Sequence, residues 1–302
     1  MGTLPADLRM IDDLHLGLPH VIATYLVPGD QPAIVDPGPA STLSTLAAGL
    51  ATHGLALGDL QHILLTHIHL DHAGATGVLV RRFPHLRVYA HQRGVPHLVA
   101  PEKLIRSAAR LYGDEMDRLW GEIAPVPAAN ITTLAGGETL RLAGRRLRVF
   151  DAPGHASHHV IYFDQSNGAM FMGDTGGVCL PDLPVPRPAT PPPDIDIEAW
   201  LRTLAMVESL APRALLLTHF GPTYQPAAYL ADYRAALARW AELVRAGLHS
   251  GADEPAQIAQ LRAQALADMG SPSAATLELF DQASAIELNW QGLARYWRKR
   301  EG

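Results

Sequence analysis

Apolar residues in this chain come in short runs closed by Gly, Pro, Asp or His, and between those runs they recur at helical spacing. Residues 20–36, HVIATYLVPGDQPAIVD, predict two strands turning at Gly29-Asp30. Ser41 then caps an amphipathic helix reaching about residue 52. A short strand is expected at 62–65, a helix at 73–82 and a strand at 86–90. The stretch 101–122 reads as a helical insertion with Leu104, Ala108, Leu111 and Leu119 on one side. Short strands follow at 131–134, 138–142 and 145–151, turned at Gly136-Gly137 and Ala143-Gly144. Residues 160–164 and 169–172 form a hairpin turning at Ser166-Asn167-Gly168. A helix at 197–210 and a strand at 214–218 complete an alternation that belongs to an α/β fold.

Two segments break this pattern. Pro181 to Pro193 holds seven prolines, which fix φ and lack N–H donors, so a rigid extended loop is expected there rather than a helix or central strand. Past Tyr224 no strand-like run recurs: Leu230, Tyr233, Leu237, Trp240 and Val244 fall at helical spacing. Another helix is expected from Ser271-Pro272, ending in the basic Arg295 to Arg300. Trp240, Leu243, Phe280, Leu288, Trp290 and Trp297 need a surface to cover, since burying one such group is worth roughly 1.5–3 kcal/mol. The tail is therefore expected to pack on the rest of the chain and shape its pocket, or to meet a second copy in a homodimer.

Composition narrows the classes. At 302 residues and 48% hydrophobic, the chain can build a sizeable core, and disorder is not expected. A net charge of −6 argues against a general nucleic-acid binder. The single cysteine, Cys179, excludes an internal disulfide and any Cys-rich zinc module, and reads as a packing residue. The first residues, MGTLPADLRMIDDLHLG, lack a basic region ahead of an apolar run, and no run of about 18 apolar residues exists to span a membrane. A cytoplasmic location with no membrane partner is the expectation.

Histidine is the informative residue, with 15 copies that cluster at strand ends. ILLT leads into His67, with His69, Asp71 and His72 close behind; LRVFDAPG leads into His155, AMFMG into Asp174 and ALLLT into His219. The carboxyl ends of strands are where α/β folds bind ligands. In extended backbone, residues two apart point the same way, so His67 and His69 can share one ion while Asp71 and His72 turn towards a second. Imidazole and carboxylate suit zinc, and also iron or manganese. A carboxylate such as Asp174 has two oxygens and can bridge two ions.

With these residues in hand, THIHLDH resembles the His-x-His-x-Asp-His signature of the metallo-β-lactamase superfamily. Gly154-His155, Gly173-Asp174 and His219 match its remaining motifs in order, so that the resemblance spans roughly 18–225. It implies an αββα sandwich, here assigned to 1–224, and the helical spacing past Tyr224 makes 225–302 a C-terminal helical extension. It further implies His67, His69 and His155 on the first ion, Asp71, His72 and His219 on the second, and Asp174 between them. The metal motifs are similar to those of glyoxalase II-like enzymes, without their basic pattern near the C-terminus. The Tyr that quorum-quenching lactonases carry shortly after the bridging Asp is absent from Asp174-Thr175-Gly176-Gly177-Val178. GHASHH with a downstream TPPP loop resembles bacterial members described generically as hydrolases.

Around this set, Asp36 reads either as a carboxylate orienting the ligand loop or as a turn residue. His158 and His159 are candidates for the substrate or for a polar rim. Arg106, Arg110 and Tyr112 on the helical insertion are candidates for an anionic or aromatic substrate group, and the proline loop with Arg187 for a pocket wall. His62, His85, His91 and His97 read as surface or capping residues.

The expected function is hydrolysis of a small ester, lactone, thioester or amide by water activated between two divalent transition-metal ions, zinc foremost, with Asp71 orienting or deprotonating that water. Alternatives are a nuclease of the same fold, a non-hydrolytic iron enzyme of the persulfide dioxygenase kind, and a non-catalytic metal-binding protein. The motifs do not choose the substrate, because one scaffold carries many chemistries.

Overall fold

The computed structural model describes residues 4–5, 7–180, 183–270 and 272–301. Pro181 of the proline run and Ser271, the expected helix start, lie outside the described residues. One sheet contains β1 (Arg9–Asp12), β2 (Ala23–Val27), β3 (Ala33–Val35), β4 (His62–Leu64), β5 (Arg87–His91) and β6 (Ile131–Leu134), side by side in that order. Pairing is antiparallel from β1 to β3 and parallel from β3 to β6. The second sheet starts with β7 (Thr139–Leu142), β8 (Arg145–Asp151), β9 (Val160–Asp164) and β10 (Ala169–Phe171). A separate ribbon of β11 (Val178–Leu180) and β12 (Leu183–Arg187) comes next. Then β13 (Ala214–Leu217) and β14 (Gly221–Thr223) close the second sheet, in the order β14-β13-β10-β9-β8-β7.

The period of two along each strand makes the layers. Tyr25, Val35 and Leu64 of the first sheet meet Tyr162, Phe171 and Leu216 of the second in a shared core. Their neighbours Leu26, Ile34 and Ile63 point outward, under helices that supply Leu46, Leu50 and Leu79. On the far side Ile161, Met170, Leu215 and Leu217 point outward to Trp200 and Leu204 of helix Ile197–Ser209. Helix, sheet, sheet, helix is the αββα order.

The tail forms helices Pro226–His249, Glu254–Met269, Ala274–Ala283 and Ile286–Glu301. Tyr233, Leu237, Trp240, Trp290 and Leu293 join the outer core of the second sheet, and Phe280 covers Val178 and Leu180 of the ribbon. Asp253 and Ser273 cap the second and third of these helices by accepting from the N–H of Ala256 and Thr276. Among the described residues, no helix is long and apolar enough to cross a membrane.

Several local expectations change. Strands β1 and β14 carry too little apolar alternation to announce themselves. The helix expected at 73–82 is two, Leu70–Ala73 and Thr76–Arg82. The insertion breaks at Gly113, where φ is +51°, into Glu102–Tyr112 and Met116–Trp120. Five residues of the proline run are not loop but strand β12, tolerated because a two-stranded ribbon has open edges where a missing N–H is not needed.

Candidate metal centre

All seven residues of the histidine and aspartate set come together at the carboxyl ends of their strands. His67, His69, Asp71 and His72 follow β4, His155 follows β8, Asp174 follows β10 and His219 follows β13. Ligand-type atoms of His67, His69, His155 and Asp174 lie within 4.8 Å of one another, as do those of Asp71, His72 and His219. In the first group, Nδ1 of His69 is 3.0 Å from Nε2 of His67 and 2.9 Å from Nε2 of His155. Asp174 faces both groups. Its Oδ2 is 3.2 Å from His155 Nε2, and its Oδ1 is 3.0 Å from His72 Nε2 and 3.3 Å from His219 Nε2. Asp71 Oδ2 lies 3.3 Å from His219 Nε2.

Protons on the outer nitrogens decide what these rings present inward. His155 Nδ1 donates to the carbonyl of Ala189 at 2.8 Å, and His219 Nδ1 donates to the carbonyl of Val21 at 2.6 Å. His72 Nδ1 donates to Asp36 Oδ2 at 2.8 Å. Thr66 gives its hydroxyl proton to the same oxygen at 2.7 Å, so Thr66 Oγ1, 3.1 Å from His67 Nδ1, accepts from that ring. With each outer nitrogen protonated, each Nε2 turns a lone pair inward. Nε2 of His72 and His219 and Oδ1 of Asp174 are buried, and among the described residues none has a hydrogen-bond partner. Lone pairs aimed at a carboxylate in a desolvated site repel unless a cation lies among them. The donor set therefore fits two divalent metal ions.

The ionisation of the cluster shows the same demand. Burial lowers the His69 imidazole to about 4, and burial also lowers His67 and His155. Burial pulls on His219 and His72 as well, but there the Asp174 carboxylate outweighs it, holding His219 at about 10 and His72 well above its usual value. Asp71 and Asp174 are held low against burial, chiefly by His72. Positive charge is stabilised between these two carboxylates, and either a proton or a metal cation supplies it.

Residues behind the cluster fix its shape. Asp36 is fully buried at φ +53° and accepts from Thr66 N, Thr66 Oγ1, His72 Nδ1 and Thr218 Oγ1. It is thus both a turn residue and the hub that orients the segment after β4. His159 is buried behind His67, with the rings stacked 4.8 Å apart, and its Nε2 accepts from the Asp174 N–H at 3.2 Å. It holds Asp174 in place and does not sit at a polar rim. Gly173, at φ +48°, has no alternative: a Cβ there would lie 2.5 Å from Thr66 Oγ1 and 2.7 Å from His159 Nε2.

A cavity of about 580 Å³ opens on Asp71, His69 and Asp174. Helix Glu102–Tyr112 lines it with Leu104, Ala108, Leu111 and Tyr112, joined by Trp120 and by His158. Burial raises the Tyr112 phenol, so it keeps its proton, and burial lowers His158 to about 3, so that ring is neutral. Arg106 and Arg110 do not take the position expected of them. Both are exposed and outside the lining, because the helical period turns Lys103 and Ser107 to the cavity instead. The proline loop does form a wall, through Ala189 and 191–193. The tail supplies an adjoining wall, 281–285 with Leu288 and Asn289, where the sequence predicts a tail that shapes the pocket but singles out only Leu288 among these residues. No motif marks it, because it lies at a joint between two helices.

The comparisons with known proteins agree with this geometry. A family model described as the metallo-beta-lactamase superfamily matches residues 17–219, which contain all seven clustered residues. A metallo-beta-lactamase fold-containing protein of Sulfurisphaera tokodaii is 25% identical over 207 residues, 67% of this chain and 74% of that protein. A hydroxyacylglutathione hydrolase of Aeromonas hydrophila is 32% identical over 142 residues, and the match spans 47% of this chain but only 41% of that relative. A metallo-beta-lactamase family protein from Thermus thermophilus shares the fold, with a TM-score of 0.70 at 24% identity over 99% of this chain and 95% of that one. Motif order, strand-end geometry and the family match converge: this chain belongs to the metallo-β-lactamase superfamily.

Proposed function

We propose that the chain is a metal-dependent hydrolase of a small ester, lactone, thioester or amide. Two divalent transition-metal ions, zinc first with iron or manganese as alternatives, would be held by His67, His69 and His155 on one side and by Asp71, His72 and His219 on the other, with Asp174 between. The observation that carries this reading is the set of Nε2 lone pairs of His72, His155 and His219 converging on the two oxygens of Asp174, each with its Nδ1 proton committed elsewhere. Two such ions supply Lewis acidity towards a carbonyl and make water a nucleophile near neutral pH.

The residues of the chain do the rest. Asp71 faces both His219 and the cavity, with 23% of its side chain exposed, and orients the attacking water. Tyr112 lines the cavity as a neutral donor, and Leu104, Leu111 and Trp120 exclude solvent around the acyl group. The cavity is of the size that holds a small molecule. The hydroxyacylglutathione hydrolase among the relatives supports including thioesters. With a net charge of −6, nucleic acid is not a partner in this reading.

Elemental analysis of the purified, metal-supplemented protein is expected to find close to two ions per chain, and a panel of esters, lactones, thioesters and β-lactams to reveal turnover. Fewer than one ion, or a flat panel at full loading, would sink the reading. Asp71→Asn at full metal occupancy is expected to lower turnover on the best panel substrate by about 10²–10³-fold, with the thermal midpoint little changed. Wild-type turnover in that variant would remove the role given to Asp71.

A further inference from the structure

Outside the cluster, His155 makes one hydrogen bond among the described residues, from its Nδ1 to the carbonyl of Ala189. Ala189 lies in a stretch without regular structure, where Pro188, Pro191, Pro192 and Pro193 have no N–H with which to anchor themselves. What holds that carbonyl in place comes from the far end of the chain. On one flank, Ser284 Oγ donates to the carbonyl of Pro188 at 3.1 Å. On the other, the N–H of Thr190 donates to Asn289 Oδ1, and Thr190 Oγ1 donates to the same oxygen at 3.0 Å. Asn289 Nδ2 turns the other way, towards Ser284 Oγ at 2.8 Å and the carbonyl of Ala285 at 3.0 Å.

Asn289 is 1% exposed, and its amide joins both anchors. A carboxylate could not donate to the Ser284 side, and an apolar residue would strand the Thr190 N–H. Beyond it, Gly292 lets the loop lie directly on the last helix. A Cβ at Gly292 would come within 1.9 Å of the Thr190 carbonyl oxygen. Both neighbours of Ala189 are thus pinned by helix Ile286–Glu301 and the joint before it, which leaves the Ala189 carbonyl free for His155.

We infer that Asn289 is a positioning residue for His155, acting through the proline loop, so that the helical tail completes the three-histidine site rather than only walling the cavity. This rests on the reading above that His155 is a ligand. Direct outer partners of a ligand typically change metal affinity by about 10–100-fold, and Asn289 acts one link further out, on the loop that carries such a partner.

The test is a zinc and cobalt(II) titration of the full chain in competition with a chromophoric chelator, which resolves two affinities. Asn289→Ala is expected to weaken one ion about tenfold, the low end of what losing a direct outer partner does, to leave the other within about twofold, and to alter the visible absorption of the cobalt form. Ser284→Ala removes the Pro188 anchor and one acceptor of the Asn289 amide but leaves the Thr190 anchor, and is expected to weaken the same ion by a smaller factor. Circular dichroism and the thermal midpoint establish folding. If Asn289→Ala does not fold, Ser284→Ala decides. Equal weakening of both ions, or unchanged affinity for both in a folded variant, would overturn the inference. A wild-type chain that takes up no metal would instead overturn the ligand assignment beneath it.

Discussion

Asp13 is fully buried, and among the described residues no cation faces it. Its Oδ2 is 2.8 Å from Thr24 Oγ1, which is also 2.8 Å from the carbonyl of Asp36. One hydroxyl has one proton, and the carbonyl can only accept, so Asp13 must be the donor to Thr24. Burial, with Asp12 nearby, raises Asp13 well above the usual 3.8, which keeps that proton in place. The unfolded chain gives the proton up near 3.8 and the folded chain holds it. Its contribution to stability is therefore fully present below that pH and is lost as pH rises towards the folded value. Asp13→Asn supplies an N–H donor without a charge to suppress. It is expected to exceed the wild type by about 1 kcal/mol or more at pH 7 and to match it near pH 3, measured by urea unfolding. A difference independent of pH would contradict a neutral Asp13. Of the residues around the centre, the seven strand-end positions were legible because each follows a short apolar run. Asp13 and His159 were not, since their work depends on which hydroxyl or N–H they face after folding.

Helix Glu102–Tyr112 shows what a period can and cannot say. The spacing of Leu104, Ala108 and Leu111 marks one apolar side, and that side lines the cavity. It does not say how wide the polar arc is, so Arg106 and Arg110 were candidates although Lys103 and Ser107 border the opening. Ser107 is exposed, so a large side chain there should be tolerated by the fold. Ser107→Trp is expected to lower kcat/KM at least about tenfold on the best panel substrate, a loss of roughly 1.4 kcal/mol, at unchanged metal content. Arg106→Ala and Arg110→Ala should stay within twofold of wild type. The reverse ranking would return the arginines to the site. The proline run carried the opposite lesson: seven prolines excluded a central strand, yet an edge ribbon could still accommodate them.

At the scale of the molecule, the count of tryptophans beyond residue 225 showed that the tail needs a surface, but not which one. The surface is the outer face of the second sheet, reached by Tyr233, Leu237, Trp240, Trp290 and Leu293. At roughly 1.5–3 kcal/mol each, these five rival the 5–15 kcal/mol that typically holds a domain together. Truncation after Thr223 is expected to give aggregated or non-cooperatively unfolding protein, followed by calorimetry. A soluble truncated chain with a sharp melt and two ions would show the tail to be dispensable. Because synthesis runs from the N-terminus, all seven proposed ligands leave the ribosome before Asn289, the residue that steadies the loop behind His155. A chain translated only as far as its ligands would present its imidazoles and carboxylates on an unfinished frame, so metal uptake is expected to follow the emergence and packing of the helix that carries Asn289. For the folded protein, a protease that nicked the helix carrying Asn289 is expected to loosen the ion proposed for the three-histidine site without cutting near any of its proposed ligands.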